Sequence, residues 1–122
     1  MFDDQSPIYR QIAERIKADV VTGTLHADAQ VMSTNQYASF YGINPATAAK
    51  AFAQLVDEGV LYKRRGVGMF VAPGAREKLR AERRPRYIAD ILEPALREAA
   101  ALDIPAADLH AHIDAIYGKA DK

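Results

Sequence analysis

The sequence predicts a mainly α-helical chain with one small β-hairpin, and three observations lead to this fold class. Apolar residues recur at helical spacing in several segments between Ile8 and Ile116. Residues 60–63 have strand composition and are followed by a glycine-rich turn and a second short strand, residues 69–71. No segment after Ala72 has the composition of a strand. We therefore expect a helical unit that ends in the hairpin, followed by an all-helical tail.

The composition limits the classes of protein to which the chain can belong. It has 122 residues, enough for one compact domain with an appendage, and 49% of them are apolar. The absence of cysteine excludes disulfides, thiolate metal sites and cysteine nucleophiles. The N-terminus has no long apolar run, so we expect no signal peptide, no transmembrane helix and a cytoplasmic location.

A first, supporting helix is predicted to begin at Ser6-Pro7, with the serine as N-cap, and to end at Gly23. Leu25 and Val31 are the expected buried contacts of the connector that follows, residues 24–32. The residues at helical spacing that form the buried stripe of the helix are Ile8, Ile12, Ala13, Ile16 and Val20.

Two short helices joined by a tight turn are predicted between Ser33 and Gly59. Ser33 caps the second helix, residues 34–41, and residues 42–44 form the turn. The third helix separates a core face from an exposed face, with Ala48, Ala51, Phe52, Leu55 and Val56 on the first and Ala46, Lys50, Ala53 and Asp57 on the second. This spacing is typical of a helix-turn-helix, and the hairpin after it makes the unit a winged helix.

The exposed side of the third helix and the tip of the hairpin have the chemistry of a DNA-binding surface. Small polar residues near a helix start can approach base edges in a major groove, and a tip of arginines and glycines can contact phosphates. For Asn44 we favour capping of the third helix over base contact. The predicted DNA-binding residues are Ser33, Asn35, Asn44, Ala46, Thr47, Lys50, Arg64, Arg65 and Gly66.

The tail is predicted to be wholly helical and to form a dimer. We place the boundary after Gly74, with a winged helix-turn-helix domain at residues 1–74 and a dimerisation tail at residues 75–122. At Pro94 we expect a kink or a break between two helices, and Pro105 opens the last helix. Two or three helices enclose little core of their own, so we expect their apolar stripe to pack against the same stripe of a second copy of the chain. The predicted dimerisation residues are Ile88, Ile91, Leu92, Ala95, Leu96, Leu109 and Ile113.

Nothing in the sequence indicates catalysis, a cofactor or a metal site. Residues 66–68 are too short and too common a pattern for a nucleotide-binding loop. His110 and His112 lie about 200° apart on a helical wheel, and His26 is alone in the connector. The charged run between Arg76 and Arg86 has the pattern of a solvated helix face. The sequence identifies no small-molecule effector, and a pocket in so small a tail would have to form between protomers, near Tyr87, Ile91 and Leu92.

Four segments resemble the GntR family of transcription regulators, and in particular its short YtrA-like branch. They occur in the family's order and spacing: PIYRQI at 7–12, GINPAT at 42–47, FAQLVDEG at 52–59 and RRGVGMFV at 64–71. The Asn44-Pro45 pair and the short tail with an interior proline favour the YtrA-like branch. The resemblance implies a dimeric bacterial repressor that binds double-stranded operator DNA with two half-sites, often at transporter genes.

The chain departs from this family at three positions that bear on the operator sequence. Asn35 stands where the family commonly has an arginine, and Pro45 and Ala49 stand where the third helix often has arginines, so Lys50 alone keeps a positive charge there. The alternative function is a winged helix that acts as a protein–protein interaction module, in which the arginines of the hairpin are incidental.

Overall fold

The computed structural model describes residues 6–118, and this part of the chain forms six α-helices and one antiparallel hairpin. A π-helical turn, Ile88–Leu92, separates the fourth helix from the fifth. The elements in chain order are α1 (Ile8–Thr22), α2 (Thr34–Tyr41), α3 (Pro45–Asp57), β1 (Leu61–Arg64), β2 (Gly68–Val71), α4 (Ala75–Tyr87), α5 (Glu93–Ala101) and α6 (Ala106–Tyr117). The predicted fold class is confirmed: a winged helix-turn-helix followed by helices.

The chain divides into two compact units, and the division falls inside α4, between Glu82 and Arg83. The first turns of α4 belong to the first unit because Ala75 and Leu79 are buried in its core. The functional boundary after Gly74 stays a prediction.

The core of the first unit is built from one face each of α1 and α3, with the hairpin against them. Phe52 is its largest fully buried side chain. The predicted core face of α3 is confirmed, since its residues are buried apart from the half-buried Val56, while Lys50 and Ala53 on the other face are exposed. The other main members of this core are Ile12, Ala13, Ile16, Val20, Tyr37, Val60, Leu61 and Val71.

The start of α1 differs from the prediction. Its N-cap is Pro7, whose extended backbone (ψ 143°) precedes the first helical residue, and the Ser6 carbonyl instead accepts a hydrogen bond from Gln11 Nε2 at 2.8 Å. Ile8 is 41% exposed because it lies in the first turn, so it is not part of the buried stripe. The end of α1 is as predicted, with Gly23 in the left-handed conformation (φ 88°).

The connector after α1 pairs with the hairpin, which sequence analysis did not predict. Val31 N donates to Met69 O and Val71 N donates to Ala29 O, both at 2.9 Å. Tyr62 Oη donates to Asp28 Oδ1 at 2.7 Å and fastens β1 to the same connector. The hairpin is therefore supported along β2 by a third extended segment.

Two basic side chains of α4 fasten its start to the first unit. Arg76 Nε donates to Val21 O at 3.1 Å, near the end of α1. Lys78 Nζ donates to Glu58 O at 2.6 Å, just after α3. Both acceptors are carbonyls at helix ends, where intrahelical partners are lacking. The charged run of α4 thus contributes specific contacts and is not only a solvated face.

The second unit stays helical across Pro94, where the π-helical turn passes directly into α5, so no non-helical break occurs there. The kink predicted at Pro94 stays a prediction. A π-helical turn precedes the proline, with Glu93 N donating to Ile88 O, five residues back. Pro94 then occupies the first turn of α5, where its missing N–H costs least. Pro85 lies inside α4, which the sequence analysis did not address. Helix α6 lies between Pro105 and Gly118 as predicted.

Candidate nucleic-acid interface

The start of α3 is fixed by a local cap. Asn44 Oδ1 accepts a hydrogen bond from Ala46 N at 2.7 Å, and Pro45 occupies the first helical turn. The capping role favoured for Asn44 is therefore confirmed. Ala46 and Lys50 are exposed and Thr47 is half-buried. The start of α3 therefore presents two short side chains and one cation.

Lys50 is held against the first helix by an aromatic ring. Its Nζ lies 4.2 Å from the centroid of the Tyr9 ring, over which the guanidinium of Arg10 also lies, at 5.9 Å. Arg10 Nε also donates to Tyr9 Oη at 3.3 Å, and this hydrogen bond is the main reason that the pKa of Tyr9 lies below its ordinary value. Tyr9 and Arg10 thus join Lys50 in one cationic cluster. This cluster could not be predicted from the sequence, because nothing in the local pattern relates residues 9 and 50.

The start of α2 carries a complete capping box. Ser33 Oγ accepts from Gln36 N at 3.1 Å, and Gln36 Oε1 accepts from Ser33 N at 2.9 Å. Because the serine oxygen acts as an acceptor here, its O–H stays available as a donor. Asn35 is exposed beside it. The capping role of Ser33 is confirmed, while contacts of Ser33 and Asn35 with DNA stay predictions.

The hairpin forms a short basic wing, defined here as residues 61–71. Its turn is shorter than predicted, because Arg64 pairs with Gly68 and extends both strands. The guanidinium carbon of Arg64 lies 5.4 Å from the centroid of the Phe70 ring, whereas Arg65 and Gly66 form the exposed tip. Gly66 has a φ of 75°, which favours glycine in this turn.

A side chain from the connector holds the tip of the wing. Gln30 Nε2 donates to Val67 O at 3.1 Å. The same nitrogen lies where a side chain on Gly68 would begin, since a Cβ built there would be 2.6 Å from it. Glycine at 68 therefore allows a side chain 38 positions earlier to reach the tip, and the local sequence carries no signal for this contact.

The described residues contain no group of histidine, aspartate or glutamate side chains that could hold a metal ion. Within residues 6–118, no helix is long and apolar enough to span a bilayer.

The predicted dimerisation residues lie in the second unit, and nearly all of them are exposed. Leu109 is half-buried, whereas Leu96 is 43% exposed and Ile113 is 50% exposed. Ile116 and Tyr117 at the end of α6 are exposed further and were not among the predicted residues. The structure brings none of them into an apolar core within this unit, and their role in dimerisation stays a prediction.

Residues 8–71 match the family model described as "Bacterial regulatory proteins, gntR family". The chain belongs to the gntR family. This match covers α1 to β2, which contain every predicted DNA-binding residue. Because the family consists of regulatory proteins, the chain is a regulator and not an enzyme, as its sequence predicted.

The curated proteins to which the chain is similar include transcriptional repressors. The chain is 39% identical over 72 residues to the HTH-type transcriptional repressor NagR of Bacillus subtilis, covering 59% of this chain and 30% of NagR. It is 30% identical over 74 residues to the HTH-type transcriptional repressor YtrA of the same organism, covering 61% of this chain and 57% of YtrA. The resemblance to YtrA is thus confirmed, although the chain spans less than two thirds of either relative.

Two solved structures are similar to the chain, and the first extends the similarity to the helices after the wing. A GntR family transcriptional regulator from Listeria monocytogenes has 29% identity and a TM-score of 0.68, with 93% of this chain and 97% of that chain covered. The DNA-binding domain of AraR in complex with operator ORX1 has 30% identity and a TM-score of 0.55, with 59% of this chain and 93% of that chain covered.

Proposed function

We propose that the chain is a sequence-specific DNA-binding transcriptional repressor that acts as a homodimer on an operator with two half-sites. The observation that carries this proposal is that one unit contains both an exposed α3 surface of short side chains and a basic wing whose tip is held by Gln30. The repressors NagR and YtrA and the operator complex of the AraR domain support it. The protein would act in the cytoplasm, where the DNA is.

In the proposed complex, α3 enters a major groove and the wing follows the neighbouring backbone. Ala46 and Thr47 would approach base edges, because neither has the bulk to hold the helix away. Lys50 would contact a phosphate or a base edge from its place beside Tyr9. Arg64, Arg65 and the backbone N–H of Gly66 would contact phosphates. Ser33 and Asn35, at the start of α2, would add a further phosphate contact.

The second unit would join two copies, because its apolar side chains are exposed within one chain. A closed twofold dimer buries the same surface from both copies. Half-sites about 34 Å apart, one turn of DNA, would then fit the two α3 helices. The resemblance to the YtrA-like branch makes transporter genes the first targets to test.

A mobility-shift titration with the DNA upstream of the protein's own gene tests the proposal. We expect a specific complex that survives competition by unrelated DNA. The Arg64→Ala/Arg65→Ala variant should bind more weakly and lower the slope of log K against log salt by about 2, since two phosphate contacts are lost. The matched control is Arg86→Ala/Arg97→Ala, which removes the same charge outside the winged helix and should leave the slope unchanged.

Failure of this titration has a clear meaning. Weak, sequence-blind binding at low salt would contradict the proposal and favour the protein–protein interaction module. An unchanged salt slope in the Arg64→Ala/Arg65→Ala variant would show that the wing does not contact DNA phosphates.

Sedimentation equilibrium tests the dimer. Leu96→Glu places a charge in the apolar stripe and should yield a monomer that binds operator DNA weakly. Arg97→Glu introduces the same side chain at the neighbouring position and should leave the dimer intact. A wild-type monomer at micromolar concentration would contradict the dimer.

A further inference from the structure

A cavity of about 230 Å³ opens in the first unit, between α1, α2 and the connector. Its floor is apolar and includes Phe52, at the centre of the core. The proposed DNA-binding residues do not line it. The residues that do are Arg15, Ile16, Asp19, Leu25, Gln30, Val31, Met32, Tyr37, Tyr41 and Phe52.

The wall of this cavity contains a buried hydroxyl that lacks a well-aligned hydrogen-bond partner among the described residues. Tyr37 is only 7% exposed, and within residues 6–118 its Oη makes no hydrogen bond of good geometry, although the Tyr41 side chain lies near enough to raise its pKa. Buried polar groups in folded proteins are nearly always paired, so such a group requires an explanation. Burial raises the pKa of Tyr37 to about 12, so the hydroxyl keeps its proton at neutral pH and can donate it. A hydrogen-bond acceptor is the missing partner.

The remaining lining narrows the chemistry of that partner. Arg15, whose guanidinium lies 5.4 Å from the centroid of the Tyr41 ring, and Asp19 bring opposite charges to the same cavity. Their fields oppose each other at Tyr37, where Arg15 lowers the pKa and Asp19 raises it. A ligand with a full charge would meet one of them unfavourably. A neutral, mainly apolar molecule with a carbonyl oxygen meets neither difficulty and fits the apolar floor.

The cavity is also connected to the wing through one residue. Gln30 lines the cavity, and its Nε2 donates to Val67 O at the tip of the wing. Its neighbour Val31 also lines the cavity and is bonded through its backbone to Met69 in β2. A molecule in the cavity can therefore compete for the Gln30 amide or displace this segment.

We propose that this cavity binds a small neutral aromatic amide or ketone, whose carbonyl oxygen accepts the Tyr37 hydroxyl proton in a hydrogen bond, and that binding loosens the wing through Gln30. An amide ligand would also donate its N–H to Asp19, and the ring of either ligand would lie against Phe52 and Val31. That this loosening controls DNA binding rests on the proposed function. The binding site itself does not.

Titration of the full chain with benzamide, followed by ¹H–¹⁵N NMR, tests the site without DNA. We expect saturable shifts at Tyr37, Tyr41 and Gln30, and further shifts at residues 66–68 of the wing. Benzylamine, which has no carbonyl and carries a charge, should bind at least about fivefold more weakly, since it lacks the acceptor. Absence of saturable shifts at Tyr37 with benzamide would overturn the proposal.

Variants separate the hydroxyl from the shape of the cavity. Tyr37→Phe retains the ring and should weaken benzamide binding about fivefold or more, because only the donor is lost. Tyr117→Phe removes the same atom from an exposed ring and should bind as the wild type does. Equal affinity in Tyr37→Phe would overturn the role of the hydroxyl.

Two further measurements separate the coupling from the proposed function. Gln30→Ala should retain the benzamide shifts at Tyr37 and lose those at residues 66–68. In the wild type, saturating benzamide should weaken operator binding severalfold. Benzamide shifts that never reach the wing would overturn the coupling, whereas a protein that binds benzamide with wing shifts but binds no DNA would contradict only the proposed function.

Discussion

The ammonium nitrogen of Lys50 lies 4.2 Å from the centroid of the Tyr9 ring, which joins the exposed face of α3 to the start of α1. Lys50 is the one cationic side chain of α3 and lies on its exposed face. A flexible lysine that is already held in one direction loses less rotamer freedom when it binds. Tyr9 is therefore a positioning residue for Lys50.

Replacement of Tyr9 by leucine should weaken operator binding about two- to fivefold, because the cation–π contact that orients Lys50 is lost. Tyr9→Phe retains the ring and should bind nearly as the wild type does. A mobility-shift titration of both variants, repeated in a Lys50→Ala background, checks this. In that background Tyr9→Leu should have no further effect, and an additive loss would show that Tyr9 acts independently of Lys50.

Glycine at position 68 should be required for an ordered wing. Its φ of 147° favours glycine, and an added Cβ would come within 2.6 Å of Gln30 Nε2. We expect Gly68→Ala to lower the free energy of unfolding in urea by about 1–2 kcal/mol through backbone strain and loss of the Gln30 contact. Gly66→Ala is the control, because a Cβ at Gly66 meets nothing within 4 Å and only the backbone cost applies.

A second substitution distinguishes the two sources of this loss. Gln30→Ala in the Gly68→Ala background removes the atoms that would clash, so the double variant should be no less stable than Gly68→Ala alone. A full additive loss would mean that Gln30 moves aside without cost and that the effect of Gly68→Ala is backbone strain.

The elements governed by local rules could be predicted from the sequence. Ser33 and Asn44 cap helices because their side-chain oxygens accept hydrogen bonds from backbone N–H groups two or three residues later. The two faces of α3 follow from the 3.6-residue period of a helix. The contacts of Tyr9 with Lys50 and of Gln30 with the wing could not be predicted, because they join segments about 40 residues apart. The pairing of the connector with β2 uses backbone groups, which every sequence has, so composition gives no signal for it.

Tyr37→Phe should not destabilise the protein, although Tyr37 is in the core. Its ring contacts with Tyr41 (4.5 Å) and Phe52 (5.6 Å) are retained, and the atom that is removed makes no hydrogen bond of good geometry within residues 6–118. We expect the free energy of unfolding in urea to be unchanged or higher by up to about 1 kcal/mol. Tyr62→Phe, which removes the same atom but breaks the bond to Asp28, should be less stable than the wild type. If Tyr37→Phe lowers the free energy of unfolding as much as Tyr62→Phe does, the Tyr37 hydroxyl makes a stabilising hydrogen bond in the wild type.

Acid should weaken the contact that joins α1 to the end of α3. Lys17 Nζ lies 2.5 Å from Glu58 Oε1, and Gln54 Nε2 donates to Glu58 Oε2 at 3.0 Å. Partial burial raises the pKa of Glu58, but the hydrogen bonds from Lys17 and Gln54 outweigh it, so the pKa lies below its ordinary value. A carboxyl whose pKa is lowered by folding stabilises the protein above its unfolded pKa, about 4.3, and this contribution is lost as the pH falls through the folded pKa.

Replacement of Glu58 by glutamine should therefore cost about 0.5 kcal/mol of the free energy of unfolding at pH 7, a small value because the glutamate side chain is 39% exposed. The difference from the wild type should shrink as the pH falls below about 4.3, where the wild-type carboxyl takes up its proton. Urea titrations at several pH values measure it. Glu98→Gln, at an exposed glutamate without an ion pair among the described residues, should show a difference from the wild type that varies little with pH. A Glu58→Gln difference that stays constant into acid would mean that Glu58 is held by its shape and hydrogen bonding, which glutamine shares, and not by its charge.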